Sequence, residues 1–402
     1  MQVTTSFIKN SSTLPYCLLL WIILMNSTNV GAQISFGLPH TLGEVHNYQN
    51  INIGDMNNDG WLDVVLADTY LGFFVQYNQE GTLNHTAECI SQQVLLGYEN
   101  INIMDINNDN KLDIIYSKYN DIYGVLQGDN GQFEPEQLLV SHITYNGMLL
   151  EYNYFFLFRD INDDGLIDAI YVNSYNYIGY AINIGNGQFE EITIFIEELD
   201  MDISNMKDIQ LLDMNNDGQK EIIIVQQNGI LLGNPNSNLD SLETLVEGYF
   251  GNVLFEDINN DSLPDVVFTT SSQKIAYMLN NGGTFSAATI VYNATLQNIY
   301  KIKIANINND NYKDILFLSN DGNTIKWCRN INGQSFDNTQ TLLNATNINN
   351  YYVADMDNND TLDIIVLGHS TYVAYAKHIN NSFSFYQVVD ETIKNIQEVF
   401  TI

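Results

Sequence analysis

Seven nine-residue segments carry oxygen ligands at one fixed spacing, Asp-x-Asn-x-Asp-Gly-x-x-Asp. Counting the first residue as offset 0, the side chains at offsets 0, 2, 4 and 8 are Asp55, Asn57, Asp59 and Asp63 in the first copy. They are Asp105, Asn107, Asp109 and Asp113 in the second, and Asp160, Asn162, Asp164 and Asp168 in the third. The fourth has Asp213, Asn215, Asp217 and Glu221, and the fifth Asp257, Asn259, Asp261 and Asp265. Asn306, Asn308, Asp310 and Asp314 form the sixth, and Asp355, Asp357, Asn359 and Asp363 the seventh. Offset 5 is Gly, Asn, Asp or Ser; all but Ser262 tolerate the left-handed backbone of a sharp turn. Offset 6 can then offer a carbonyl, and offset 8 returns an acid to close the shell. That many hard oxygen donors suit Ca²⁺, with up to seven ions expected, whereas Mg²⁺ keeps more water and soft metals want His or Cys. An EF-hand is excluded because the twelfth loop positions include Leu66, Tyr116, Tyr171, Ile224 and Val366 where Glu is required, and because the flanks read as strands. The sixth loop has only two carboxylates, Asp310 and Asp314, and is expected to bind calcium most weakly.

These loops must sit on a repeating scaffold. Their starts are 50, 55, 53, 44, 49 and 49 residues apart. A short apolar or alternating segment precedes each loop, and a β-branched run such as Ile222–Val225 follows. The second run reads as a strand buried on both faces. A third strand lies about ten residues on, then a turn that is often Asn-Gly, and then an aromatic (Phe133, Phe189, Phe285, Phe336) expected to open a fourth strand. Four antiparallel strands per repeat at this period define a β-propeller. The fold class is therefore all-β, seven four-stranded blades near 48–95, 98–141, 150–198, 204–246, 249–292, 298–343 and 347–390, in one domain over 33–402. End segments 33–43 and 391–402 resemble strands four and one, so an eighth, incomplete blade is the alternative.

The loop, the apolar strand after it and the Gly-turn-Phe step resemble the FG-GAP/VCBS repeat superfamily, which includes the integrin alpha-subunit head. The resemblance covers roughly residues 34–390, although only Phe36-Gly37 matches the literal Phe-Gly signature. It implies structural calcium between the first two strands of each blade, on the rim opposite the usual ligand face. It also implies a role in adhesion or in protein or glycan binding, with enzymes a minority whose chemistry lies outside the loops.

The rest of the sequence bounds partners and location. Of 402 residues, 48 are Asp or Glu and 14 Lys or Arg, for a net charge of −34, and 56 Asn supply much of the polarity. Such a chain lacks the basic face that nucleic acid or anionic lipid requires. The seven loops hold 22 of the 48 acids, so much of the acidity is accounted for by candidate ligands. Residues 1–32 read as a signal peptide, with Lys9, an apolar core over Leu14–Met25 and small residues Val30 and Ala32 before the cleavage point. The twelve-residue core is too short to span a bilayer, so a secreted or luminal protein without direct membrane insertion is expected. Sequons at Asn84, Asn293, Asn344 and Asn380 agree with export. Cys89 and Cys328 cannot make a disulfide framework. None of the six His (His40, His46, His85, His142, His369, His378) belongs to a recognisable catalytic or zinc motif. The tyrosine-rich segments Tyr152–Phe156 and Tyr175–Tyr177 are expected to fill space between blades, with a ligand-facing role as the alternative. The reading is a non-enzymatic module that binds a protein or glycan; the competing one is an extracellular lyase or hydrolase acting on carbohydrate.

Overall fold

The computed structural model describes residues 48–388, apart from 69–70, 85–86, 93–100, 119–120, 129–130, 142–143, 146–147, 150–152, 174–177, 191–192, 197–205, 234–241, 294–298, 320–321, 346, 369–372 and 380–381. The segments read as a signal peptide and as end strands lie outside the described residues, as do His40, His46, His85, His142, His369, Tyr152 and Tyr175–Tyr177.

Seven antiparallel four-stranded sheets follow one another along the chain, each with its strands in sequence order. Blade 1 uses Tyr48–Gly54, Asp63–Asp68, Gly72–Gln76 and Glu88–Ser91, and blade 2 Ile101–Met104, Asp113–Lys118, Asp121–Val125 and Gln137–Val140. Blade 3 uses Asn153–Arg159, Asp168–Asn173, Ile178–Ala181 and Thr193–Ile196; blade 4 uses Met206–Leu212, Glu221–Gln226, Gly229–Gly233 and Glu243–Glu247. Blades 5 and 6 are Val253–Glu256, Asp265–Thr269, Lys274–Met278 and Thr289–Asn293, then Ile299–Ala305, Asp314–Ser319, Thr324–Cys328 and Gln340–Asn344. Blade 7 comprises Ile348–Ala354, Asp363–Gly368, Val373–Ile379 and Ser382–Val388. No helix occurs among the described residues.

The core is divided into seven apolar clusters, one at each junction between neighbouring blades. The ring closes directly: Val64 and Leu66 of blade 1 share a cluster with Ile365, Leu367 and Tyr375 of blade 7. This arrangement explains the uninterrupted β-branched runs. Successive residues of a strand point to opposite faces, so Val64 and Leu66 pack on blade 7 while Val65 and Ala67 pack on blade 2. Every second strand except those of blades 2 and 3 is described as buried along its whole length, and in those two the buried positions begin at Asp113 and Asp168. A one-residue slip would still bury apolar atoms, so register is set instead by the loops at the strand ends.

The aromatics after the Asn-Gly turns differ from expectation. Phe133, Phe189 and Phe285 sit on isolated bridges opposite Gln127, Asn183 and Asn280, and Phe336 lies in a two-residue hairpin. The fourth strand starts only at Gln137, Thr193, Thr289 and Gln340. The aromatic closes a tight turn and packs into a junction, and the chain then shifts register before pairing again with the third strand. Of the segment Tyr152–Phe156, the Phe156 side chain is buried at the junction of blades 2 and 3.

Candidate metal centres

Each nine-residue loop links the first strand of a blade to its second. The register places the residue before the loop opposite offset 8, as in Gly54↔Asp63, Ala305↔Asp314 and Ala354↔Asp363. The turn needs two left-handed residues. Offset 5 has φ of 63–88°, including Ser262 at 72°, where a side chain lacking Asn's local amide is strained. Offset 3 is left-handed too, at 50–63°, and is Asn or Asp in every copy.

Within the turn, the offset-0 side chain accepts the N–H of offset 4 at 3.0–3.2 Å in all seven loops. In six of them its other oxygen accepts the N–H of offset 5 at 2.7–2.9 Å. The sixth loop lacks this second bond, because Asn306 has one acceptor oxygen and an NH₂ group. The offset-4 side chain in turn accepts the N–H of offset 6, as in Asp59 with Trp61 at 2.9 Å.

Offset 8 is deeply buried and fastens the loop to the blade. One of its oxygens accepts the N–H of offset 1 at 2.8–3.1 Å in every blade. In six blades the other oxygen accepts a backbone N–H just past or at the end of the third strand, at 2.7–2.8 Å, from Asn78, Gln127, Asn183, Asn280, Asn330 or His378. Burial pushes Asp63 up to about 7 and Asp113, Asp265 and Asp314 up to about 6, against the pull of those N–H bonds. Asp168, Glu221 and Asp363 are raised for the same reason. The acids at offsets 0 and 4 add repulsion to Asp63. A cation among these oxygens would replace repulsion by attraction.

The loops also lock neighbouring blades together. The amides of Asn78, Asn183, Asn280 and Asn330 each donate to the offset-7 carbonyl of their own loop and to the offset-1 carbonyl of the previous blade. Gln127 reaches the Met56 carbonyl in the same way. At the rim, Asn58, Asn260, Asn309 and Asn358 at offset 3 donate to the offset-5 carbonyl of the next loop at 3.0–3.3 Å. Asp163 cannot donate, and Lys220 of the next loop bonds it at 2.6 Å instead. Gly81 and Gly333, both left-handed, press on the preceding blade's offset-2 residue so closely that an added Cβ would lie 2.7 Å from Asp357 Cβ or Asn259 Cα.

The seven sites are not equivalent. In blade 7, oxygens of Asp355, Asp357 and Asp363 lie within 4.8 Å of one another, the sole such acidic group among the described residues. Asp357 Oδ1 is buried with no hydrogen-bond partner, although Oδ2 meets Lys377 at 3.3 Å. An oxygen-only donor set with an unpartnered buried oxygen fits a hard cation. In the sixth loop Arg329 sits on Asp310 at 3.1 Å. Burial would raise the Asp310 carboxyl, yet the Tyr312 N–H and Arg329 together hold it below the usual range. In the fourth loop the longer Glu221 reaches Asn215 at 3.5 Å with its second oxygen, a shifted arrangement.

Two classes of loop residue were absent from the sequence-derived ligand set. Offset 1 is Met or Ile in every copy (Met56, Ile106, Ile161, Met214, Ile258, Ile307, Met356), and each packs into the junction with the following blade. Offset 3 supplies the rim bonds. Both regularities recur in every copy of the sequence, but neither has the chemistry of a ligand closing the shell.

Away from the loops, the Nδ1 of His378 is buried without a partner and its ring stacks on Phe383 at 4.6 Å. Cys328 is buried and Cys89 exposed, with no disulfide between them. The 2–3 turn of blade 4, at the opposite end from the loops, borders a cavity of about 760 Å³. Gln226, Gln227, Asn228, Thr244, Glu247 and Tyr249 are among its lining residues.

A closed seven-bladed ring with an acidic turn at the same corner of every blade defines a repeat propeller of the loop-bearing class. The FG-GAP-like repeat pattern matches residues 55–116, 160–224, 257–317 and 306–366, more than half of the chain, and the protein belongs to that family. No curated protein sequence matches it. Among solved structures, it is similar in fold to an Agrocybe aegerita lectin that recognises non-reducing terminal N-acetylglucosamine. The two are 17% identical with a TM-score of 0.61, over 74% of this chain and 81% of the lectin. The BP39L lectin from Burkholderia pseudomallei aligns at 8% identity and TM-score 0.61, over 85% of this chain and 98% of the other. BBS1N, in complex with ARL6DN, aligns at 9% identity and TM-score 0.53, over 80% and 89%. These likenesses concern the fold.

Proposed function

We propose that this protein is an exported, calcium-stabilised propeller that binds protein or glycan ligands and is not an enzyme. The observation that carries the binding reading is the cavity of blade 4, which opens at the end away from the acidic loops. Its amides, hydroxyl, carboxylate and tyrosine ring are the donors, acceptors and flat apolar face that sugar hydroxyls and a pyranose ring require. Tyr249 is exposed there. The lectin folds of two structural neighbours support the glycan form of this reading. Calcium is supported by the convergence in blade 7 and the unpartnered oxygen of Asp357. In each loop the ion would take the side chains at offsets 0, 2, 4 and 8, neutralise their mutual repulsion and hold the first hairpin. Export is supported by the apolar leader and by the exposure of the sequon residues Asn293 and Asn344.

A glycan array probed with the full secreted chain in calcium tests the function. Binding to a defined sugar class, lost in Tyr249→Ala with the fold intact by circular dichroism, is expected. Absence of glycan hits together with specific protein capture that survives Tyr249→Ala would remove the glycan form and this site. For the metal, a melting temperature unchanged by chelator would end the structural-calcium reading, since an ion bound to the folded state must raise it.

A further inference from the structure

Of the described basic side chains, Lys303 is the one that lies over aromatic rings without also sitting on a carboxylate. Six described basic side chains, among them Lys118, Lys313 and Arg329, sit on carboxylates. Lys303 has no acidic partner among the described residues, and its ammonium lies over the rings of Tyr352, at 4.2 Å, and Tyr351, at 5.7 Å. The first strand of blade 6 carries a bulge before Lys303, as the first strands of blades 1, 3, 4 and 7 do near the same place. The bulge sets Lys301 and Ile302 opposite Phe317 alone, and Lys301 adopts φ of 49°.

Lys303 lines a cavity of about 290 Å³ between the first strands of blades 5, 6 and 7. Leu254, Ile304 and Val353 line it, with Glu256 at its edge, and Glu256 is already engaged by Lys313. Ring faces attract a cation without neutralising it. Burial and the like charge of Lys301 lower the Lys303 pKa to about 8, which leaves it mostly charged at neutral pH and in want of an anion.

We infer that the cavity beside Lys303 binds a small organic monocarboxylate with an apolar body, the carboxylate on the ammonium and the body against the aliphatic walls. The site is separate from the cavity of blade 4. A monoanion is specified because Glu256 and the net charge of −34 penalise di- and trianions. An apolar body is specified because aliphatic residues (Leu254, Ile302, Ile304, Val353) are among the lining and the volume suits one small molecule.

Benzoate is the probe, titrated calorimetrically into the full chain, with inorganic phosphate as the competing anion. Saturable benzoate binding is expected. It should weaken about tenfold or more in Lys303→Met, which keeps the aliphatic stem and removes the charge-assisted bond, and stay unchanged in Lys207→Met at an exposed position. Benzoate should also protect Lys303 of the unmodified protein from acetylation, read by peptide mass spectrometry, an arm that does not depend on the variant folding. The assignment is overturned by no benzoate binding at millimolar concentration, by equal binding to Lys303→Met, by phosphate displacing benzoate, or by equal acetylation of Lys303 with and without benzoate.

Discussion

The loops of blades 6 and 7 are neighbours built on one backbone, and they have settled into different electrostatic states. In blade 7 three carboxylates crowd within 4.8 Å and one buried oxygen lacks a partner. In blade 6 the neutral Asn306 stands at offset 0, the bond from offset 5 is missing, and Arg329 sits on Asp310. The turn is nevertheless the same in both, down to left-handed residues at offsets 3 and 5. The hydrogen-bonded frame, and not any one acidic cluster, therefore sets the shape of the loop. The acids decide how much that shape would gain from a cation.

The sharpest way to break this comparison is at offset 8. Asp363→Ala would strand the N–H groups of Met356 and His378 and the hydroxyl of Tyr375, whereas Asp314→Ala would strand two N–H groups, those of Ile307 and Asn330. At 1–3 kcal/mol per unsatisfied buried group, about 4 kcal/mol is expected for the first and about 3 for the second. Urea denaturation measures both, and a loss below about 1 kcal/mol in either would show that the frame does not depend on the carboxylate.

A smaller effect should convert one loop toward the other. Asn306→Asp restores the acceptor for the Asn311 N–H, with an expected gain of about 1 kcal/mol in chelator, and it should increase the rise in melting temperature on adding calcium. Asp355→Asn should do the reverse in blade 7. If both variants respond to calcium like the unmodified chain, the ranking of the two sites fails.

The pH dependence separates the buried acids at offset 8 from Asp310 at offset 4. Asp314 and Asp63 have folded pKa values of about 6 and about 7, above the unfolded value of 3.8. The folded state then binds protons more tightly, so these groups favour folding most below pH 3.8 and lose that contribution as pH rises through 6–7. Asp310 is shifted down and works oppositely: its contribution is present above the unfolded pKa and lost on acidification. Urea midpoints in chelator should fall between pH 4 and pH 7, the window between those unfolded and folded values, and calcium should flatten the fall. A calcium-free protein that gains stability across that window would contradict the buried-acid account.

The smallest expected effect is at the rim. Asn358→Gly keeps the left-handed turn but removes the 3.0 Å bond to the Gly60 carbonyl that joins blade 7 to blade 1. A loss of about 0.5 kcal/mol is expected for such an exposed bond, and a change beyond about 2 kcal/mol would mean that the rim bonds act as one cooperative girdle.

Much of this was legible beforehand. Repetition exposed the seven blades, since each copy of the loop reports on the others, and the β-branched runs marked strands covered on both faces. Less legible were residues whose partners lie in another blade. Asn280 looks like an ordinary turn residue until its amide is seen bridging Pro264 of its own blade to Met214 of the one before. Offset 8 was read as a ligand; the structure adds that it receives an N–H from some fifteen residues downstream, as Asp63 does from Asn78. The Phe after each Asn-Gly turn sits outside the fourth strand, because a register shift that sequence cannot show intervenes.

The sequence by itself determined the repeat, the strand order within a blade and the chemistry of the loops, because these depend on neighbours a few residues apart and recur seven times. The tertiary structure alone decided that Asp357 keeps a buried oxygen without a partner while Arg329 sits on Asp310, and that Lys303 lines a cavity between three blades. The physical reason is distance along the chain. Local periodicity encodes which face a side chain takes, but electrostatic partners and cavities arise where residues hundreds of positions apart are pressed together, as Asn358 and Gly60 are at the closure of the ring.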